Sequence, residues 1–152
     1  MTRAVSPVVG VVILVGLAVI LSVSVGAVVT MDPPEPVPAA DIELHADAEM
    51  DRIALRHHGG ETLDTEDLRV SVRIDGEPLA EQPPVPFFAA RGFLSGPSGP
   101  FNEGGDTTWR AGETAAFRLA TTNDPALTPG ATVAVTVSTT GGRVADLETT
   151  AG

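Results

Sequence analysis

Residues 4–31 read AVSPVVGVVILVGLAVILSVSVGAVVTM, and this run contains no charged side chain. Arg3 precedes the run and Asp32 follows it. As an α-helix the run would be about 42 Å long, at about 1.5 Å per residue, whereas the hydrocarbon core of a bilayer is about 30 Å thick. The run therefore predicts a membrane-spanning helix, which separates the rest of the chain from its N-terminus.

The ends of this hydrophobic run carry signals for a retained helix. The apolar core of a secretory signal peptide has about 7–15 residues, which is much shorter. Ser6-Pro7 is typical of a helix start, because Ser caps the first N–H groups and Pro needs no N–H there. Asp32 and the prolines after it are expected to end the helix. The chain has no Cys, which excludes a lipid-modified cysteine as an alternative anchor.

The chain after residue 31 is strongly acidic. The net charge is −11, every acidic residue lies at or after Asp32, and all nine basic residues are Arg. Nucleic acid is not an expected partner, because phosphate binding needs a basic surface. A Lys-free acidic composition favours a halophilic protein, since acidic groups aid solubility and molar salt limits their repulsion to about 3 Å. Arg3 predicts a cytoplasmic N-terminus and an extracellular C-terminal part.

Residues 3–29, RAVSPVVGVVILVGLAVILSVSVGAVV, resemble the N-terminal segment of archaeal type IV pilins, especially the haloarchaeal kind. In that family a prepilin peptidase removes a short basic leader on the cytoplasmic side, and the hydrophobic helix is kept. The resemblance implies a leader over residues 1–4. Arg3, Ala4 and Val5 would form the processing site, with cleavage between Ala4 and Val5.

The resemblance also implies a function and a set of partners. The chain would be a structural subunit, major or minor, of a type IV pilus-like surface filament, with adhesion as a further role. Its helix over residues 5–31 would lie in membrane lipid before assembly and then pack against other pilin subunits. Gly10, Gly16 and Gly26 would allow close helix packing, although glycines are also routine in membrane helices. The alternative is a permanently membrane-anchored extracellular β-sandwich binding module of the cell envelope.

The remaining chain is predicted to be a Pro-rich spacer over residues 32–40 and an acidic β domain over residues 41–150. Apolar and polar side chains alternate over residues 41–50 and 68–74, as in half-buried strands. Gly59-Gly60 predicts a turn, and Asp75-Gly76 predicts a hairpin. About seven short strands follow from such signals. The predicted fold class is a single N-terminal hydrophobic α-helix followed by an all-β antiparallel sandwich-like domain, a type IV pilin-like architecture.

Residues 82–106 are rich in Pro and Gly and predict a long loop. The loop contains Phe87, Phe88, Phe93 and Phe101, four of the five Phe of the chain. We expect these rings to fill the core. Exposed rings would instead form a contact patch for another subunit or a ligand.

His45, His57 and His58 are the candidate metal ligands. Neighbouring residues of a strand face opposite ways, so His57 and His58 are not expected to face one ion. His45 could pair with one of them across two strands. We favour surface or partly buried histidines, and we predict neither a metal nor another cofactor. No catalytic or nucleotide-binding motif is present, so the chain is not expected to be an enzyme.

Overall fold

The computed structural model describes residues 6–29 and 32–152, without the side chains of residues 24–29. The chain divides into two compact units, Met1–Pro34 and Glu35–Gly152. The first unit holds helix α1, Ser6–Val29. Ser6 is also the first residue that the structure describes, so the helix start predicted at Ser6-Pro7 stays a prediction.

The second unit is built from β-strands. They are β1 (Ala40–Asp47), β2 (Arg52–Gly60), β3 (Leu63–Asp64), β4 (Arg69–Ile74), β5 (Glu77–Pro78), β6 (Thr108–Trp109), β7 (Thr114–Arg118), β8 (Thr132–Thr139) and β9 (Gly142–Thr150). Short 3-10 helices lie at Thr65–Asp67 and Gly99–Phe101. The strands form three antiparallel sheets with the orders β1-β2-β7, β3-β6 and β5-β4-β8-β9. The predicted fold class, an apolar helix followed by an antiparallel sandwich-like domain, is confirmed.

One hydrophobic core joins the two larger sheets. Ile53 and Leu55 of β2 belong to the same buried cluster as Val133 and Val135 of β8. Strand β4 alternates buried and exposed side chains along its whole length, as predicted for residues 68–74. In β4 this alternation puts one face of the strand against the core and leaves the other for solvent.

The hairpin predicted at Asp75-Gly76 joins β4 to β5. Ile74 pairs with Glu77, so two residues form the turn. Both have positive φ, 51° for Asp75 and 82° for Gly76, as the favoured two-residue hairpin turn requires. The Asp75 carboxylate also accepts a hydrogen bond from the backbone N–H of Thr132 at 2.8 Å, which ties the turn to β8.

The turn predicted at Gly59-Gly60 is wrong. Both glycines lie in β2, where Gly59 pairs with Asp41 and Gly60 with Ala40. Gly60 has a φ of 96°, and a Cβ at this position would lie 2.4 Å from the carbonyl oxygen of Ala39. A close backbone approach, and not a chain reversal, therefore explains why glycine stands at Gly60.

Part of the predicted Pro-rich spacer packs on the β domain, and we call residues 35–39 the strap. The Ala39 N–H donates to the Glu61 carboxylate at 2.7 Å, and the Glu61 N–H donates to the Ala39 carbonyl at 2.8 Å. The Thr140 hydroxyl donates to the Glu35 carboxylate. A Cβ on Gly141 would lie 2.6 Å from the Glu35 carbonyl oxygen. The strap therefore belongs to the compact β unit, which begins at Glu35.

The loop between β5 and β6 covers the core with aromatic rings. Phe87, Phe93 and Phe101 are buried, so the expectation of core rings is confirmed for them. Phe93 meets Phe117 edge to face, with ring centroids 5.5 Å apart. Phe88 is 55% exposed, and the expectation of burial is wrong for it. Phe87 is held in an isolated β-bridge with Asn102, whereas Phe88 lies in a bend of the loop directly after it.

Candidate functional surfaces

The first candidate surface is the apolar helix. The stretch Ser6–Val23 is long and apolar enough to cross a membrane, and none of its side chains is buried. Ser22 is the one polar side chain between residues 8 and 23, and its hydroxyl donates to the Ala18 carbonyl at 2.7 Å. Polar groups in hydrocarbon need an internal partner of this kind. The chain thus has a candidate membrane anchor with a single span near its N-terminus.

The residues predicted for packing and processing lie in or beside this helix. A Cβ at Gly10 or Gly16 would have no neighbour within 4 Å, so both positions are open to an approaching helix. Gly26 lies in α1 among the residues whose side-chain surroundings are not described. The processing residues Arg3, Ala4 and Val5 lie outside the described residues. Their roles stay predictions.

Two of the candidate histidines meet on the exposed side of the β1–β2 pair. His58 Nε2 lies 2.6 Å from Glu43 Oε2, and His45 Nε2 lies 3.3 Å from the same oxygen. All three side chains are roughly half exposed. The strands bring them together because Glu43 and His45 share a face of β1, and the register places His58 beside that face.

His57 lies on the opposite side of β2 and is fully buried. Its Nε2 donates to the Glu61 carbonyl at 2.8 Å, and its ring meets Trp109 edge to face with centroids 5.7 Å apart. Its Nδ1 is buried without a hydrogen-bond partner. His57 is thus a core residue. It binds the backbone carbonyl of Glu61, and the carboxylate and N–H of the same Glu61 bind the strap.

The three histidines therefore do not form one metal site. In the part of the chain that the structure describes, no group of three or more His, Asp or Glu side chains is arranged to hold a metal ion. His45 and His58 are brought near each other only through Glu43, whose carboxylate both contact.

The pKa of Glu43 is lowered, chiefly by the hydrogen bond with His58 and then by that with His45. A lowered pKa means that these contacts stabilise the fold above the ordinary pKa of a Glu and that this stabilisation is lost as the pH falls through the lowered value. We expect His58→Ala to raise the Glu43 pKa toward its ordinary value by more than His45→Ala does. Carboxyl NMR titration measures this.

Asp106 supplies the internal control for that titration. Its pKa is lowered to about 2, first by the backbone N–H of Thr108 and then by Arg110. The Thr108 N–H lies 2.9 Å from Asp106 Oδ1, and an Arg110 nitrogen lies 3.0 Å from Oδ2. Neither histidine variant should change the pKa of Asp106. Equal effects of both histidine variants on Glu43 would contradict the assignment of His58 as the main partner.

The second candidate surface is a groove beside the exposed ring of Phe88. It has a volume of about 590 Å³, and its lining includes Pro97, Asn102 and Asp106. Two of the polar side chains in its lining already have partners: Asn102 accepts from the Gly104 N–H, and Asp106 accepts as described above. The groove therefore offers a ligand mainly its concave shape and the exposed ring of Phe88.

The third candidate surface is a pair of arginines that the sequence did not single out. Arg52 and Arg118 stand directly opposite each other at one end of the β2–β7 pair. Leu94, which is 42% exposed, lines a small groove with both. No local sequence signal marks this surface, because the two arginines meet only through the register of non-adjacent strands.

No protein-family model and no curated protein matches the chain. The resemblance to archaeal type IV pilins therefore stays a prediction.

Proposed function

We propose that the chain is a structural subunit, major or minor, of an archaeal type IV pilus-like surface filament that assembles through its N-terminal helix. The observation that carries this proposal is the helix itself, whose side chains from residue 6 to residue 23 are all exposed and uncharged. A helix that is apolar on every side needs a surrounding of lipid or of other helices. The acidic β domain would then lie outside the cell and take part in adhesion.

The two states of such a subunit require the same helix. Before assembly, α1 would be a single span in the membrane, with the N-terminus in the cytoplasm. After prepilin peptidase removed residues 1–4, the helix would pack against the helices of other subunits. The open backbone at Gly10 and Gly16 supports close packing of this kind. We also propose a halophilic source, because the composition of the chain is acidic and contains no Lys.

A second candidate function is a permanently membrane-anchored extracellular binding module of the cell envelope. The groove of about 590 Å³ beside Phe88 favours it, because an exposed aromatic ring in a concave surface is a common feature of binding sites. In this case the helix serves only as an anchor. Neither candidate function involves catalysis.

The N-terminus of the native protein distinguishes the two candidates. Mass spectrometry of the chain isolated from its own membranes should find a mature protein that begins at Val5. The variant Arg3→Glu should block trimming and remove the chain from surface filaments. The matched control Gly10→Leu leaves the processing residues intact, and should be trimmed normally while assembling poorly. An untrimmed native chain would contradict the filament proposal and favour the anchored module.

A further inference from the structure

The exposed ring of Phe88 lies in a concave part of the β domain. Phe88 is 55% exposed, whereas the other Phe rings of the loop between β5 and β6 are buried. The Gly96 N–H donates to the Phe88 carbonyl at 2.7 Å, and the Phe87 N–H donates to the Phe101 carbonyl at 2.9 Å. These hydrogen bonds fix the backbone that carries the ring. An aromatic ring that is held in a groove and contributes little to the core marks a candidate ligand site.

The walls of this groove are short and stiff. Three glycines and two prolines contribute to its lining: Gly99, Gly104, Gly105, Pro97 and Pro100. Glycines let a ligand approach the backbone closely, and prolines fix φ, so binding orders few additional groups. The volume of about 590 Å³ lies within the usual range for small-molecule sites, about 300–1,000 Å³. The groove therefore suits a small ligand without rearrangement of the domain.

The polar side chains of the groove both donate and accept hydrogen bonds. The Ser98 hydroxyl makes no hydrogen bond to the 3-10 helix that it precedes. The Asn102 side chain uses its oxygen for the Gly104 N–H at 2.9 Å, which leaves its N–H groups to a ligand. One Glu113 carboxylate oxygen accepts from the Arg110 N–H at 2.7 Å, and within residues 32–152 the other has no hydrogen-bond partner. A ligand rich in hydroxyl groups fits this set, because each hydroxyl both donates and accepts.

The charges of the groove favour a neutral ligand. Asp106 and Glu113 are the charged side chains in its lining, and both are acidic, which disfavours an anion. Asp106 is already paired with Arg110 at 3.0 Å. A cationic ligand would therefore compete with this arginine, whereas a neutral ligand leaves the ion pair intact.

We propose that this groove binds a neutral pyranose sugar, which stacks on Phe88 and forms hydrogen bonds through its hydroxyl groups with Ser98 and Glu113. The face of an aromatic ring is electron-rich, and it therefore attracts the positively polarised C–H groups on one face of a pyranose. The hydroxyl groups lie around the edge of the sugar, so one ligand matches both the ring and the polar side chains. The inference deepens the adhesion role of the β domain and rests on its proposed place outside the cell, where it would meet surface sugars.

Co-sedimentation with vesicles tests this proposal. The full-length chain is reconstituted in zwitterionic lipid vesicles and mixed with tritium-labelled neutral tetrasaccharides of glucose, mannose or galactose. We expect binding of at least one of them, and we expect Phe88→Ala to weaken it by about tenfold or more, as for aromatic residues that dominate an interface. Phe88→Trp keeps an aromatic face and should retain binding, whereas Phe88→Leu should lose it. Binding should persist in molar salt, because no ionic contact holds the ligand.

Leu94→Ala is the matched control. Leu94 is an exposed apolar side chain of the same loop, and it lies outside the lining of this groove. The control should bind the sugar as the wild type does. Failure of all three tetrasaccharides to bind, or equal binding by the wild type and Phe88→Ala, would overturn the inference. Tighter binding of a cationic glucosamine tetramer that depends on Phe88 would overturn it in favour of a cationic ligand.

The outcomes also separate this inference from the proposed function. Sugar binding that depends on Phe88 in a chain that is never trimmed would retain the sugar site and remove the filament role. Trimmed chains that assemble into filaments but bind none of the sugars would retain the filament role and remove the sugar site.

Discussion

Replacing Trp109 by Ala should destabilise the β domain by about 3–5 kcal/mol, as expected for removing a large aromatic side chain from a core. Trp109 is fully buried. Its ring meets Phe101 at a centroid distance of 5.4 Å and His57 at 5.7 Å. Its indole N–H donates to the Glu113 carbonyl at 3.1 Å. The variant therefore creates a cavity and leaves the Glu113 carbonyl with one hydrogen bond fewer.

This loss is large because domains of this size are stable by only about 5–15 kcal/mol. Trp109 is the only Trp of the chain, so unfolding of the variant must be followed by circular dichroism and not by Trp fluorescence. The control is Phe88→Ala, which removes an aromatic ring that is 55% exposed. We expect this control to change the free energy of unfolding by about 0.5 kcal/mol or less. Similar losses in the two variants would contradict the described core.

Replacing Leu14 by Arg should measurably weaken membrane insertion of the chain. Leu14 lies near the middle of the candidate span Ser6–Val23. A charged side chain at the centre of a spanning helix costs about 2.5–3.5 kcal/mol on insertion scales, which corresponds to roughly a hundredfold change in an insertion equilibrium. No other candidate span exists in the described chain to shield the charge.

Extraction of membranes with alkaline carbonate measures this effect. The wild-type chain and the control Leu14→Ala should stay in the membrane fraction, whereas a larger share of Leu14→Arg should appear in the soluble fraction. The control removes the same apolar side chain without adding charge. Retention of Leu14→Arg in the membrane at the wild-type level would show that α1 is not the anchor.

Much of the fold could be predicted because its signals are local. The uncharged run gave the helix, and the alternation over residues 68–74 predicted β4 with its buried face. Asp75-Gly76 predicted a hairpin because two consecutive positive φ angles favour these residue types. Each of these inferences needs only neighbours along the chain.

The errors and omissions arose where distant segments meet. Gly60 was interpreted as a turn, but it is required by the approach of Ala39, twenty-one residues earlier. Local composition predicted an extended spacer, whereas its last residues form the strap against Glu61 and Thr140. The Arg52–Arg118 pair depends on the register of β2 against β7. Such contacts leave no periodic pattern in the sequence.

The strap has a mechanical consequence for the β domain. Tension applied through the N-terminal chain enters this unit at Glu35, where the Thr140 hydroxyl and the Glu35 carboxylate are bonded. It next reaches the two reciprocal hydrogen bonds between Ala39 and Glu61, and only after them the first pairs of β1 with β2. A load must therefore break the strap before it can peel the first strand from its sheet. The strap hydrogen bonds are thus the first contacts of the β domain that such a load would meet.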